Sequence, residues 1–293
     1  MATEAAPEST LPYPPMHADK PFVVLSDWLV GSSSIMPPGS FSLISTMGTT
    51  SVCSSSDPWD GTITTRDSND YMTDELGFGR EKRRELNIAT LTGEVTFRDS
   101  FREMLESVVA NGHTFEECKE ELKKNIKLDP GFKEFYQYCY GTDIPVVIIS
   151  SGMAPLIRAV LSNLIGEEDA KKIEIVSNGV IIHPDGKWDI QYRHPSSGFG
   201  HDKSQAILPY RALEHPPTIF FFGDGVSDMS AARHADVLFV KQKGDGENDL
   251  AAYCTREGIP HILFEDFSRA LTVVRSVVDG KMSVKQALSL GRA

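Results

Sequence analysis

Asp27, Ser150, Lys203, Asp224 and Asp228 are the residues of this sequence best placed to do chemistry together. Asp27 ends the apolar run "PFVVLSD" (21–27), and Ser150, Ser151 and Gly152 follow "IPVVII" (144–149). Asp224 and Asp228 lie in "GDGVSD" (223–228), directly after "TIFFF" (218–222), and Lys203 opens the stretch "DKSQAILPYRAL". Short apolar runs bounded by turn residues read as buried parallel strands. A doubly wound sheet binds its ligands outside the carboxyl ends of the strands. Three carboxylates, a hydroxyl and an ammonium are therefore predicted to meet on one rim. That set suits phosphoryl transfer. A carboxylate attacks phosphorus, other carboxylates hold a hard cation such as Mg2+, and the hydroxyl, the lysine and backbone N–H groups neutralise the phosphoryl oxygens. Singly, each residue has a plainer use. An Asp after a strand caps a turn, a Ser caps the next helix, and Asp228 could be a first-turn carboxylate with no metal role.

The elements that must position these residues alternate. After residue 141 the chain reads as strand "IPVVIISS", helix "MAPLIRAVLSNLIG", strand "KIEIVSN", then a hairpin flap "GVIIHPDGKWDIQYRH" turned at Pro184-Asp185-Gly186. Helix "DKSQAILPYRAL", strand "TIFFFGDG", helix "VSDMSAARHA", strand "DVLFV", helix "DLAAYCTREG", strand "PHILF" and helix "SRALTVVRSVV" follow. The fold class this implies is α/β, a Rossmann-like doubly wound parallel sheet. Between the first two strands the chain turns helical. "DSFREMLESVVANG" places Phe101, Met104, Leu105 and Val108 on one face with Gly112 as a stop, and Thr114 with Glu117 forms a capping box. The aromatic stripe of "GFKEFYQYCYG" reads as core. An inserted α-helical cap fits this pattern.

The expected division is a disordered lead over 1–20, a first core segment over 21–27 and 59–65, and an aperiodic insertion over 28–58. A helical cap over 66–141, the core over 142–280 and a C-terminal tail over 281–293 complete it. The chain has 293 residues, 40% of them hydrophobic, and a net charge of −12. That balance excludes a basic nucleic-acid footprint and a polybasic membrane patch. No apolar run approaches the roughly 20 residues of a membrane span. The N-terminus lacks the basic start and apolar core of a signal peptide. Four scattered cysteines without metal-ligand spacing read as reduced thiols. A cytoplasmic protein is the expectation, and the oligomeric state is open.

A second GDGxxD, "KGDGENDL" (243–250), competes with the first. It follows "FVKQK", which puts two lysines where a buried strand end should be, so it reads as a loop and helix cap. The order of the remaining motifs resembles the haloacid-dehalogenase (HAD) superfamily of aspartate-nucleophile phosphatases. Asp…DGT, Ser-x-Gly, Lys and GDGxxD follow one another as that family's four motifs do. The helical stretch resembles the phosphoserine-phosphatase-like branch. "DGTITTRDSNDYMTDELGFG" looks closer still to fungal polyol or phosphoserine-type phosphatases, and also resembles bacterial methylthio-pentulose-phosphate phosphatases.

The resemblance implies roles. Asp27 would be the nucleophile and form an aspartyl-phosphate, and Asp60 would be the general acid and base, with its backbone carbonyl on the metal. Asp224 would be the main remaining Mg2+ ligand. Asp228 would support the metal through a water or hold Lys203. Ser150, Ser151, Gly152 and Lys203 would bind the phosphoryl group. Asp67, Asn69, Asp70 and Arg98 would meet the substrate's other end, while Trp188 and Tyr192 read as packing. The implied activity is Mg2+-dependent hydrolysis of a small phosphorylated metabolite: a polyol, sugar or amino-acid phosphate. Dehalogenation is disfavoured by Asp224, a metal ligand that the dehalogenases of this family do without.

This sequence departs from the family pattern at the first motif. "SDPWDGT" has one residue too many between Asp57 and Asp60, and no strand precedes Asp57. Removing the 31 residues 28–58 leaves "VVLSD-W-DGT", with Asp27, Trp59 and Asp60 at the right spacing behind a strand; removing 29–59 leaves the same string. The Ser/Thr-rich segment is then either a true excursion, whose closure entropy grows only as about (3/2)RT ln n, or a translated intron absent from the working enzyme. The alternative function is a catalytically impaired HAD-fold protein. Mature transcripts lacking codons 28–58 are expected. A chain without these residues should hydrolyse p-nitrophenyl phosphate with Mg2+. If both it and the full chain fail on that ester and on sorbitol-, ribitol- and serine-phosphates, the enzyme reading is overturned.

Overall fold

The computed structural model describes residues 6–28, 62–242 and 248–291. Seven strands form one sheet in the order β4-β3-β2-β1-β5-β6-β7. They are β1 (Phe22–Ser26), β2 (Val146–Met153), β3 (Glu174–Ile182), β4 (Trp188–Gln191), β5 (Thr218–Gly223), β6 (Val237–Lys241) and β7 (Ile262–Phe264). All pairings are parallel except β3 with β4. The chain winds outward from β1 through β2 on one side and through β5 on the other, so β1 sits at the reversal of strand order. That reversal opens a crevice at the carboxyl ends of β1, β2 and β5.

The central strands are apolar on both faces because both faces are covered. Val24 of β1 and Phe220 and Phe222 of β5 join one core, while Val23, Leu25, Ile219 and Phe221 join the other. The first core is capped by α5 (Phe132–Gly141), α6 (Ala154–Ile165) and α11 (Phe267–Val278), and the second by α8 (Ser204–Arg211) and α10 (Asp249–Glu257). Phe222 stacks on Phe239 at 4.5 Å and meets Phe135 and Phe267 at 5.3 and 5.0 Å.

Between β1 and β2 the chain inserts helices α1 (Ser68–Tyr71), a π-turn (Met72–Leu76), α2 (Arg80–Thr92), α3 (Phe97–Ala110) and α4 (Phe115–Asn125). On α3 the apolar face buries Phe101, Met104, Leu105 and Val108, and Thr114 with Glu117 forms the capping box that starts α4. No helix among the described residues is long and apolar enough to cross a membrane.

Several expectations need correction. The helical segment expected as a cap over 66–141 ends earlier, because α5 packs on the sheet: Phe135 meets Phe222, and Phe132 meets Phe267 at 5.1 Å. Gly131 permits this approach, since a Cβ there would lie 2.2 Å from the Ser268 backbone N. Residues 9–17, expected as disordered lead, are tied to the core. Thr10 N donates to the Arg193 carbonyl at 2.8 Å, Arg193 Nη1 donates to the Leu11 and Pro12 carbonyls at 2.8 and 3.2 Å, and His17 Nε2 meets Glu174 at 2.9 Å. A short Pro-rich strand of chain needs no core of its own when a buried guanidinium satisfies its carbonyls. The C-terminal tail contains α12 (Val284–Ser289), started by a Ser283–Gln286 capping box and anchored by buried Ala287. "KIEIVSN" and "GVIIH" are one continuous strand, β3, and Trp188 pairs back on Ile182 across the expected turn.

The lysine argument against the second GDGxxD also fails in part. Lys241 is buried at the end of β6, where Asp129 pairs with it. Asp129 Oδ1 accepts from Gly131 N and Phe267 N at 2.9 and 3.1 Å, so one carboxylate joins α5, β6 and α11. Asp249 of that second motif begins α10 behind Asn248; residues 243–247 lie outside the described set. Lys241→Met strands the Asp129 charge and is expected to cost about 3–5 kcal/mol, read from urea unfolding. The paired change Asp129→Asn with Lys241→Met should recover much of that loss.

Candidate active site

β1, β2 and β5 deliver Asp27, Ser150–Ser151 and Asp224 to one place. Asp27 directly follows β1, and its backbone N–H donates to the Phe222 carbonyl at 2.8 Å, which locks the end of β1 beside β5. Asp27, Asp224 and Asp228 are buried and each offers a carboxylate oxygen within 4.8 Å of the others. Lys203, at the start of α8, is also fully buried. Its Nζ lies 2.6 Å from Asp27 Oδ2, 2.7 Å from Asp228 Oδ1 and 3.0 Å from Ser227 Oγ. The other Asp228 oxygen accepts from the Asp224 and Gly225 backbone N–H groups at 3.0 and 3.1 Å. Gly223 makes room for that loop, because a Cβ would lie 2.6 Å from Asp228 Cγ. The structure thus places Asp228 as the brace of Lys203 and of the 223–228 turn.

Charges follow from burial. Desolvation pushes the Asp27 carboxyl well above its ordinary range, Asp228 pushes the same way, and Lys203 opposes them. Burial alone would lower Lys203, but Asp228 and Asp27 outweigh it and hold the ammonium protonated. Three carboxylates against one ammonium leave two negative charges when all are ionised. An all-oxygen, buried donor set with that excess fits a hard dication such as Mg2+.

The Ser150–Gly152 turn is braced from behind. Ser150 Oγ accepts from Gly152 N at 3.1 Å, so that amide is engaged locally. His201 Nδ1 donates to the Ser150 carbonyl at 2.7 Å, and Asn178 Nδ2 donates to the Ser151 carbonyl at 2.7 Å. Asn178 in turn accepts from Arg193 N at 2.8 Å. Thr62 Oγ1 donates to Asp224 Oδ1 at 2.7 Å. Thr62, Asn178, His201 and Ser227 received no role from the sequence. Thr62 stood in the quoted "DGT" and Ser227 in "GDGVSD"; Asn178 and His201 carry no motif signal, because only the folded chain brings them to the turn.

Asp67, Asn69 and Asp70 line a narrow cavity of about 30 Å3 with Asn87, Phe97, Ser100, Phe101, Met104, Ser151 and Ser227. It lies between the inserted helices and the sheet rim. Asp67 caps α1, accepting from Asn69 N and Asp70 N, and burial followed by the Asp70 charge pushes its carboxyl well upward. Arg98 is not among the lining residues. It pairs with Asp99 at 2.9 and 3.0 Å and donates to the Pro195 carbonyl at 2.6 Å, joining α3 to the flap. Trp188 packs edge-on against Phe115 at 5.6 Å, and Tyr192 OH donates to the Arg98 carbonyl at 2.6 Å. Asp60, Asp57 and, apart from Trp28, the 28–58 segment lie outside the described residues. Trp28 is buried beside Asp27, with its backbone N–H on Asp27 Oδ1 at 2.7 Å.

Residues 59–233 match the family model of haloacid dehalogenase-like hydrolases. The chain belongs to that family. Among curated members, this HAD hydrolase is 50% identical over 212 residues to Pdp3-interacting factor 1 of Schizosaccharomyces pombe, covering 72% of this chain and 89% of that protein. It is 43% identical over 239 residues to polyol phosphate phosphatase PYP1 of Saccharomyces cerevisiae, covering 78% and 95%. A 2-hydroxy-3-keto-5-methylthiopentenyl-1-phosphate phosphatase of Bacillus pumilus is 25% identical, covering 71% and 85%. In fold, the HAD hydrolase resembles a phosphoserine phosphatase solved as a phospho-aspartyl intermediate analogue, with a TM-score of 0.52 at 14% identity over 89% of this chain and 98% of that one.

Burial holds the His201 imidazolium well below the ordinary value of 6.5. The unfolded chain therefore binds one proton more than the folded HAD hydrolase once the pH falls below 6.5. The stability contributed by neutral His201 is complete above pH 6.5 and declines as pH drops toward the depressed folded value. His201→Asn, which keeps an N–H donor for the Ser150 carbonyl, is expected to flatten the pH dependence of unfolding free energy below pH 6.5. The change is at most about 1.4 kcal/mol per pH unit, measured by urea titration.

Proposed function

We propose that the protein is a Mg2+-dependent phosphatase of small phosphomonoesters that works through an aspartyl-phosphate on Asp27. The observation that carries the reading is the buried cluster of Asp27, Asp224 and Asp228 around the Lys203 ammonium, set beside Ser150 and Ser151 at the crevice of the sheet. The names of the fungal and Bacillus relatives point to the same class of reaction. Asp27 and Asp224 are the side chains that would hold the cation, and the Asp60 carbonyl is a third ligand by family resemblance. When bound, Mg2+ would supply positive charge against the phosphoryl oxygens and the attacking carboxylate.

The chain's own groups divide the remaining work. An Asp27 oxygen attacks phosphorus and forms the P–O bond to the enzyme while the bond to the leaving oxygen breaks. Asp60 gives its proton to the leaving alkoxide, and then takes one from the water that attacks phosphorus and releases inorganic phosphate. Lys203 holds Asp27 in line and offsets negative charge as the phosphoryl group arrives. The Ser150 hydroxyl and the Ser151 amide bind phosphoryl oxygens. Asp228 keeps Lys203 in place. The cavity, at about 30 Å3, has room for roughly a water, so the inserted helices must draw back to admit a substrate and then close over it. A small phosphorylated metabolite is the partner this implies.

Asp27→Asn should lower kcat on p-nitrophenyl phosphate by roughly 10^3-fold or more. EDTA should abolish turnover, and added Mg2+ should restore it. Metal-independent turnover, or full activity in Asp27→Asn, would sink the proposal.

A further inference from the structure

His201 and Lys203 leave one short segment for two different strand ends. Both are fully buried. Lys203 Nζ reaches Asp27 behind β1 at 2.6 Å, and His201 Nδ1 reaches the Ser150 carbonyl of β2 at 2.7 Å. A carbonyl only accepts, so Nδ1 carries the proton of the neutral imidazole and Nε2 is left as the acceptor. Nε2 has no hydrogen-bond partner among the described residues. A buried ring nitrogen without a partner costs stability, so a histidine here is poorly explained as packing alone. What it does provide is one N–H fixed on one carbonyl.

That carbonyl sets the direction of an amide. In a trans peptide the C=O and the N–H point to opposite sides. The Ser150 carbonyl and the Ser151 N–H share one peptide plane, so holding the carbonyl from the His201 side turns the Ser151 N–H to the other side. A carbonyl that accepts a hydrogen bond also makes its own N–H a stronger donor. The next plane is held the same way. Asn178 Nδ2 donates to the Ser151 carbonyl at 2.7 Å, and the Gly152 N–H of that plane donates to Ser150 Oγ at 3.1 Å. Having accepted there, the Ser150 hydroxyl keeps its own proton to donate. Side chains do this work because the strand pairing shifts at the turn. Ile149 pairs with Val176 and the next pair is Met153 with Asn178, so β2 gains residues on β3 between them. Residues in such a bulge leave the regular ladder.

Resting on the phosphatase reading above, we propose that His201 is a positioning residue for phosphoryl binding: its Nδ1–H orients the Ser150–Ser151 peptide so that the Ser151 N–H and the Ser150 hydroxyl face the phosphoryl oxygens. The test uses the full chain with Mg2+ and measures kcat/KM on p-nitrophenyl phosphate, the Ki of orthovanadate, which takes the phosphoryl site without a leaving group, and the Mg2+ requirement. His201→Leu should lower kcat/KM and raise the vanadate Ki by roughly tenfold each, with the Mg2+ concentration for half-maximal turnover near the parent's. Ki does not depend on how much of the enzyme is folded, so a merely structural defect would not move it. His201→Asn, which puts an amide N–H at the Nδ1 position, should recover most of both losses. His201→Gln, whose N–H falls at the Nε2 position, should not, and this pair decides alone if His201→Leu does not accumulate. A parental vanadate Ki in His201→Leu, equal losses in His201→Asn and His201→Gln, or a Mg2+ requirement that rises in step with Ki overturns the positioning role while leaving the phosphatase intact. A parent chain inert toward p-nitrophenyl phosphate overturns the phosphatase reading and this inference with it.

Discussion

One ammonium holds the crevice together. Lys203 is fully buried between Asp27 and Asp228, at 2.6 and 2.7 Å. Burial pushes the Asp27 carboxyl well above its ordinary range, and Lys203 opposes that. Burial alone would lower Lys203, and the two acids reverse that. Each partner is tolerable only because the others are present, which fixes the relative positions of β1, β5 and α8 to within a hydrogen bond. Such a cluster is a poor source of net stability. On the proposed phosphatase reading, it keeps Asp27 poised for a cation and a phosphoryl group.

The apolar layers provide the rigidity this arrangement requires. Phe222, one residue before Gly223, is packed by Phe135, Phe239 and Phe267. The turn that carries Asp224 and Asp228 therefore leaves a strand with no freedom to shift. On the other side, Ser150 and Ser151 leave β2 with their carbonyls held by His201 and Asn178. Arg193 continues that support outward: it binds Asn178 with its backbone and the 9–12 segment with its guanidinium. A stretch of chain distant in sequence thus supports the Ser150–Ser151 turn through the side chains of Arg193 and Asn178.

The HAD family also contributes a constraint on sequence. By resemblance, four short motifs each sit at a strand end or helix start, and three of the stretches that resemble them are continuous in this chain. The first is divided between Asp27 and Asp60. In the structure Asp27 follows β1 beside Asp224 and Asp228, and Trp28 is built into the core behind it, its indole N–H on Ser68 Oγ at 3.3 Å.

Much of this was legible along the chain. The parallel strands were visible as apolar runs, because a strand covered on both faces needs no alternation. Asp27, Ser150, Lys203 and Asp224 were visible because strand ends and helix starts are marked by local sequence. The α4 capping box and the flap turn are likewise local. What the sequence could not decide was anything that depended on two distant segments. The aromatic helix α5 had the period of any buried helix, and only the sheet decided that it belongs to the core. Lys241 looked like an exposed end until Asp129, 112 residues away, neutralised it. Arg98 read as a substrate contact, and in the structure Asp99 and the Pro195 carbonyl hold its guanidinium. Local propensity and periodicity are properties of a short window, so they determined the elements and the candidate site residues. Burial, charge pairing and hydrogen-bond satisfaction belong to pairs of windows, and only the tertiary structure could decide them.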